Sequence, residues 1–435
     1  MTYEQAVNYL YESAPLFQNI GAGAYKEGLS NTEALDMHFG HPHQQYATIH
    51  VAGTNGKGSV SHTLAAILQS QGMRVGLYTS PHLTDFRERI RVNGQMIPQQ
   101  RVVDFVEQER DFFEPLHPSF FELTTALAFK YFAEAKVDIA VIEVGLGGRL
   151  DCTNIIHPLV SIITNISYDH IQFLGNTLEK IAGEKAGIIK HGIPAIVGES
   201  GTESVAEVFR QKALSVSTTF TFADQQKEIT DFTLTPGLGY TYHTATFGTL
   251  HGELGGFCQE KNTATILEAV KELRRLGMKI DDQAISDGFA HVCSLTGLRG
   301  RWQKIAESPL TVCDTGHNVG GMQYITRQLQ ATPHHALHII IGMVSDKDVS
   351  TVLSMLPKEA TYYFTQASVK RAMPCEEFAQ KAAEHGLAGQ CYPTVSEAYK
   401  AARAAAAPDD LVYVGGSTFI VADLLTACEQ GKLQL

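Results

Sequence analysis

The chain has 435 residues, 44% of them apolar and 18% charged, and a formal net charge of −12. That length calls for two or more domains with large cores. An acidic balance with no basic block argues against nucleic acid or an anionic membrane as partner, so any anionic ligand must be met locally.

The opening stretch, "MTYEQAVNYLYES", has acidic residues and no uninterrupted apolar core, so it does not read as a signal peptide. No apolar run reaches the roughly 18 residues of a membrane span. "HPH" at 41–43 falls in an expected loop with no metal role. Further on, short β-branched runs alternate with helical patterns, the signature of an α/β fold. "ATIHVAG", "RVGLYTSP", "VDIAVIEVG", "LVSIITNI" and "IPAIVGE" read as strands. "SVSHTLAAILQSQG", "ELTTALAFKYFAEA" and "TLEKIAGEKAGIIKHG" read as helices between them. The Thr-, Phe- and Tyr-rich run 216–250 predicts a small antiparallel insertion, and "EKNTATILEAVKELRRLG" a helix after it.

Near "LRGRWQ" the rhythm restarts. "LTVCDTG", "ALHIIIGM", "TYYFTQA" and "DLVYVGGS" are expected strands; "VGGMQYITRQLQ", "PCEEFAQKAAEHG", "VSEAYKAARAAAA" and "FIVADLLTACEQ" are expected helices. The restart divides the chain into domains 1–297 and 298–435. Seven scattered cysteines form no C-x-x-C pair, which fits reduced thiols in a cytoplasm.

"GTNGKGS", Gly53–Ser59, lies between an expected strand and an expected helix, the context of a phosphate loop. Gly53, Gly56 and Gly58 allow positive φ and close backbone approach. N–H groups at the helix start then point at an anion, and Lys57 adds a positive charge. Thr54, Asn55 and Ser59 complete the cofactor-binding stretch. The strict motif would have Gly where Val51 stands and Ser or Thr where Gly58 stands. With no hydroxyl directly after the lysine, a Mg²⁺ ion needs other ligands.

Three strand ends offer them: Thr79–Ser80, Glu143 and Asp169–His170. Such ends converge on the crevice where ligands bind in parallel sheets. Hard oxygens suit Mg²⁺, while His fits a second metal position. Lys185, in "GEKAGIIK", reads either as a surface lysine or as a desolvated amine able to take up CO₂ as a carbamate.

"GTNGKGS", "YTSPHL…RERI", "VIEVGLGGRLDCTN", "YDHIQFLG", "GEKAGIIK", "RGRWQ" and "DTGHN", in this order, resemble the folylpolyglutamate synthase and dihydrofolate synthase family, Mur-ligase-like and of the bacterial bifunctional type. The resemblance implies a parallel-sheet, P-loop-containing ATPase domain like the Mur ligase central domain. A smaller Rossmann-like α/β domain for glutamate ligation follows it. By resemblance, Ser80 and Glu143 bind one Mg²⁺ and His170 a second. Lys185 matches the carbamylated lysine, and Asn262 and Arg301 contact ATP. Asp314 and His317 face the nucleotide and glutamate, and Ser417 contacts glutamate. Phe121 and Asp151 match the region that holds the pterin-bearing substrate. Commonly the second-domain motif reads D-G-A-H-N-P, whereas here Thr315, Gly316 and Val319 replace Gly, Ala and Pro.

The reaction implied is ATP-dependent ligation of an acid to an amino acid. The acceptor carboxylate takes the γ-phosphoryl group, and glutamate's amine displaces phosphate from the acyl phosphate, with water excluded by domain closure. Dihydropteroate, reduced folates, L-glutamate and ATP are the expected partners of a cytoplasmic monomer. Folylpolyglutamate synthase activity alone stays open. A peptidoglycan ligase of the Mur type would need a domain of roughly 100 residues before the phosphate loop, and only 52 residues precede Gly53. A non-catalytic nucleotide switch would not need "DTGHN".

Overall fold

The computed structural model describes residues 1–13, 28–235 and 238–433. Its largest sheet has eight strands: β1 (Ala47–Ala52), β2 (Val75–Tyr78), β3 (Ile90–Val92), β4 (Gln95–Met96), β5 (Ile139–Glu143), β6 (Val160–Ile163), β7 (Ala195–Val197) and β8 (Phe220–Phe222). They lie in the order β4-β3-β2-β5-β1-β6-β7-β8. All are parallel except β3 and β4, which form an antiparallel edge. Every residue of β2, β5 and β6 is buried. Helices cover both faces of such a sheet, so its strands read as continuous apolar runs.

From β1 the chain crosses toward β2, and from β6 it proceeds the other way through β7 to β8. The carboxyl end of β1 is therefore where the connections part, the usual ligand crevice of an open parallel sheet. The helix Lys57–Ser70 that follows β1 is buried from Ser59 through Leu68. Tyr78, Phe86, Phe105, Phe113, Phe120, Phe129 and Phe132 fill an aromatic core beside β2 and β5.

A second sheet is antiparallel, with β9 (Ile229–Leu234), β10 (Tyr240–Thr244) and β11 (Thr249–Gly252) in the order β11-β10-β9. The expected insertion is present but begins later than residue 216. Phe220–Phe222 has the same Thr/Phe composition, yet it pairs parallel with β7 and extends the main sheet.

The third sheet holds β12 (Gln303–Ala306), β13 (Leu310–Cys313), β14 (Leu337–Ile341), β15 (Thr361–Phe364), β16 (Gly389–Cys391) and β17 (Leu411–Gly415), in the order β12-β13-β17-β14-β15-β16. Only β12 runs antiparallel to its neighbour.

Two compact units result. One is Met1–Thr235, Tyr240–Glu253 and Gln259–Leu298; the other is Pro236–Gly239, Leu254–Cys258 and Arg299–Leu435. Division of the sequence at 297/298 assigns two short segments of the second unit to the first. Within the second unit, Leu238 packs on the core that contains Trp302, which is 2% exposed. Gly255 lies so close to Trp302 that a Cβ there would come within 3.0 Å of the indole Cδ1. Among the described residues no helix is long and apolar enough to cross a membrane.

Candidate active site

The helix after β1 begins at Lys57, with Gly56 as its N-cap at φ 83 and no side-chain cap. Gly58 and Ser59 thus lie in the first helical turn, and only Gly53 (φ 144) and Gly56 of the three loop glycines use positive φ. Both are also pressed from outside. A Cβ on Gly53 would collide with Thr164 Oγ1, and one on Gly56 with Asn262 Oδ1. Asn262, named from resemblance alone, is therefore seated against the phosphate loop. Lys57 Nζ donates to the carbonyls of Gly53 and Thr54, each at 3.1 Å.

The segment after β6 braces the loop. Thr54 N–H donates to Asn165 O at 3.0 Å, Asn55 N–H to Asn165 Oδ1 at 2.9 Å, and Thr164 Oγ1 to Asn55 O at 2.5 Å. Thr54 Oγ1 donates to Ser167 O at 3.1 Å, and Asn55 Nδ2 to Ser167 Oγ at 3.2 Å. From the helix Gln259–Arg275, Gln259 Nε2 donates to the hydroxyl of buried Ser59 at 3.3 Å, and Gln259 Oε1 accepts from Asn262 Nδ2 at 2.9 Å. Thr164, Asn165, Ser167 and Gln259 carried no motif signal beyond their places in "ITNIS" and "CQEKN".

Adjacent strand ends place the remaining groups of this unit along one edge. Glu143, 3% exposed, ends β5 opposite Val51 of β1. Ser80 follows β2, which is the next strand outward. His170, at φ 51, follows β6 on the other side of β1, and its N–H donates to Asp169 Oδ1 at 2.9 Å. Lys185, 4% exposed, donates from Nζ to Gly53 O at 2.9 Å. Its amine is pushed down to about 7, first by burial and then by the charge of Lys57, against the opposing pull of Asp169 and Asp151. The surface-lysine reading of Lys185 is thereby overturned: the side chain is buried against the loop.

A hydroxyl, a buried carboxylate and an imidazole fit a hard cation that completes its shell with phosphate oxygens and water. Among the described residues no three His, Cys, Asp or Glu gather closely enough to hold a metal by themselves. Such a site suits Mg²⁺, which binds through one or two carboxylates plus substrate phosphates, better than a preformed all-protein cage.

Phe121 meets the loop after β5, where a Cβ on Gly145 would strike its ring, and lies 5.8 Å from Tyr78 between ring centroids. Asp151 is 5% exposed and is engaged by the protein itself. It accepts from Leu146 N at 2.8 Å, Thr153 N at 3.0 Å and Thr153 Oγ1 at 2.5 Å. Because the Thr153 proton is used there, His50 Nε2–H donates to Thr153 Oγ1 at 2.8 Å, extending a buried relay. Burial raises the Asp151 carboxyl, while the bonds from Thr153 and Leu146 lower it. This carboxylate first of all shapes "GLGGRLDCTN".

The second unit gathers a different set after β13. Asp314 accepts from Trp302 N and Gly316 N, both at 2.8 Å. Burial raises its carboxyl, and Arg301 is the first of the influences that lower it. Arg301 donates to Thr315 Oγ1 and, at 3.2 Å, to Gly300 O. His317 Nδ1 lies 3.0 Å from Thr315 O. Ser417 follows β17, the strand next to β13, and caps the helix Thr418–Glu429 by accepting from Phe419 N at 3.2 Å.

A braced phosphate loop at the switch point of a parallel sheet, beside a buried lysine and a hydroxyl, a carboxylate and an imidazole at the strand ends, defines a nucleotide-dependent α/β enzyme. Comparison with known proteins narrows the class. Residues 51–251 match the Mur ligase middle domain, and residues 300–418 match the Mur ligase glutamate ligase domain. The chain is 35% identical to the dihydrofolate synthase/folylpolyglutamate synthase of Escherichia coli, across 86% of this chain and 85% of that one. It is 33% identical to a probable bifunctional folylpolyglutamate synthase/dihydropteroate synthase of Haloferax volcanii, covering 98% of this chain but half the length of that relative. Among solved structures, E. coli FolC in complex with DHPP and ADP aligns with a TM-score of 0.84 at 30% identity, over 100% of this chain and 99% of that one. A bifunctional folylpolyglutamate synthase/dihydrofolate synthase from Yersinia pestis, complexed with AMPPNP and Mn ion, aligns with a TM-score of 0.81 at 29% identity, over 99% and 98%. The chain belongs to the Mur ligase family, in its dihydrofolate synthase/folylpolyglutamate synthase branch.

Proposed function

We propose that this chain is an ATP-dependent ligase that joins L-glutamate to dihydropteroate and to reduced folates through an acyl phosphate. The observation that carries the reading is the phosphate loop: an uncapped helix start, glycines wedged between Thr164 and Asn262, and Lys185 on the Gly53 carbonyl. The names of the E. coli and Y. pestis relatives, and the nucleotides in their structures, support it.

An acceptor carboxylate oxygen attacks the γ-phosphorus, the bond to the β-phosphate oxygen breaks, and ADP leaves. Lys57 exchanges its loop carbonyls for the transferring group, and the first-turn N–H groups hold the phosphates. Ser80, Glu143 and His170 would hold two Mg²⁺ ions, which supply neutralisation of phosphate charge. Lys185 would take up CO₂ on its neutral amine and release a proton to solvent, adding an anion next to Lys57. Phe121 supplies an apolar face for the pterin, in a loop shaped by Asp151. Asn262 and Arg301 contact the nucleotide. Asp314, His317 and Ser417 orient glutamate, whose amine attacks the acyl carbon as phosphate leaves. The protein acts on small molecules as a cytoplasmic monomer.

The test is ADP release with glutamate and either dihydropteroate or tetrahydrofolate as acceptor. Release with both is expected. Release with tetrahydrofolate alone would leave folylpolyglutamate synthesis as the sole activity, and release with neither would reject the reading.

A further inference from the structure

The second-unit loop differs from the common family pattern at Thr315 and Gly316, and the structure shows what the two changes do together. Thr315 is 8% exposed. Its N–H donates to Gly300 O at 3.1 Å, and its hydroxyl donates to the same oxygen at 3.2 Å. With its one proton spent there, the hydroxyl oxygen is left to accept from Arg301 Nη1. The same Nη1 also reaches Gly300 O. One corner of the guanidinium is thus held at two acceptors, and among the described residues its other N–H donors have no hydrogen-bond partner, which leaves them for a ligand.

The backbone on either side of Arg301 is fixed independently. Gly300 N–H donates to Gln303 Oε1 at 2.8 Å, and Trp302, at φ 45, donates its N–H to Asp314. The Thr315 hydroxyl supplies the missing restraint at the far end of the side chain. A glycine at 315 would have no hydroxyl to offer. The neighbouring change fits this arrangement: a Cβ at 316 would run into Ile325 Cδ1, so alanine there would force that side chain to move.

We infer that Thr315 is a positioning residue that holds the Arg301 guanidinium in one orientation before ATP binds. The inference rests on the proposed contact between Arg301 and ATP. Holding a long side chain in advance spares the rotamer freedom otherwise lost on binding, so the benefit falls on ATP affinity.

Steady-state kinetics with ATP and glutamate varied separately test this. Thr315→Val, which removes the hydroxyl, should raise KM for ATP about fivefold, with kcat and KM for glutamate little changed. Thr315→Ser should restore the KM. In an Arg301→Ala background Thr315→Val should add no further change. If Arg301→Ala raises KM for ATP and Thr315→Val does not, the inference fails while the nucleotide role of Arg301 stands. Should Arg301→Ala leave KM for ATP unchanged, that role fails and the inference with it. A Thr315→Val defect that serine does not repair, with a lowered unfolding midpoint, would make Thr315 a packing residue and overturn the inference.

Discussion

Two loops in this chain have the same outline, a parallel strand running into a helix, and opposite uses of the helix start. After β1 the N-cap is Gly56, which gives the helix Lys57–Ser70 no side-chain cap. After β13 the N-cap is Asn318, whose side chain accepts from Gly321 N at 2.9 Å and closes the helix Val319–Ala331. A helix start left uncapped has unsatisfied N–H donors and the positive end of the dipole, both of which favour an anion. One that is capped has one of those donors already taken, and its loop, residues 314–318, is left to present side chains such as His317. The first loop binds through backbone, so it tolerates little but glycine at Gly53 and Gly56. On the proposed reading the second would bind through side chains, which leaves its backbone residues free to change, as Thr315 and Gly316 have.

The contrast breaks most readily at Lys57. Lys57→Ala should lower ADP release about 10³-fold with circular dichroism and unfolding midpoint unchanged; an active variant would remove the phosphate loop from the site. Next come the proposed metal ligands. Glu143→Gln and His170→Ala should each raise the Mg²⁺ needed for half-maximal rate about tenfold. Ser59→Ala should not, because that hydroxyl is already engaged by Gln259. The reverse pattern would return the metal to the loop.

Lys185 gives a pH test. Its amine titrates at about 7, lowered by burial. Below that pH it is an ammonium that cannot react with CO₂; above it the free amine prevails, by about tenfold at pH 8. A carbamate signal from ¹³C-bicarbonate should therefore be present at pH 8, fall away at pH 6, and be absent from Lys185→Met. A signal that is equal at both pH values, or that survives the substitution, counts against the carbamate. The smallest effects compare the two helix starts directly. Gly56→Ala should cost about 1–2 kcal/mol through its left-handed φ and also raise KM for ATP. Asn318→Ala should cost about 1 kcal/mol of cap and leave KM for ATP alone. Equal kinetic effects would mean that the two ends are not differently used.

The sequence made the parallel strands and the chemistry at their ends legible, since apolar runs such as "IAVIE" end in a charged or glycine residue. It hid the β3–β4 edge, because Ile90–Val92 and Gln95–Met96 are too short for a period to emerge. Phe220–Phe222 was misread because composition reports exposure and branching, not strand direction. The bracing of the loop was invisible for another reason: Gln259 and Ser59 are 200 residues apart, and no local pattern signals their contact. Asp151 was visible as a residue but not as one occupied by Leu146 and Thr153, since hydrogen-bond saturation is a property of the folded loop.

The chain passes between its two units five times, at 235/236, 239/240, 253/254, 258/259 and 298/299. A gene cut once, where the second strand–helix rhythm begins, would therefore yield a fragment lacking Leu238 and Leu254–Cys258. Trp302 would lose the backbone that lies against it, turning a buried indole into exposed apolar surface. During synthesis, two short pieces of the second unit leave the ribosome well before the rest and must wait for it. Recombination faces the same obstacle: exchanging this unit between relatives takes three coordinated replacements rather than one crossover.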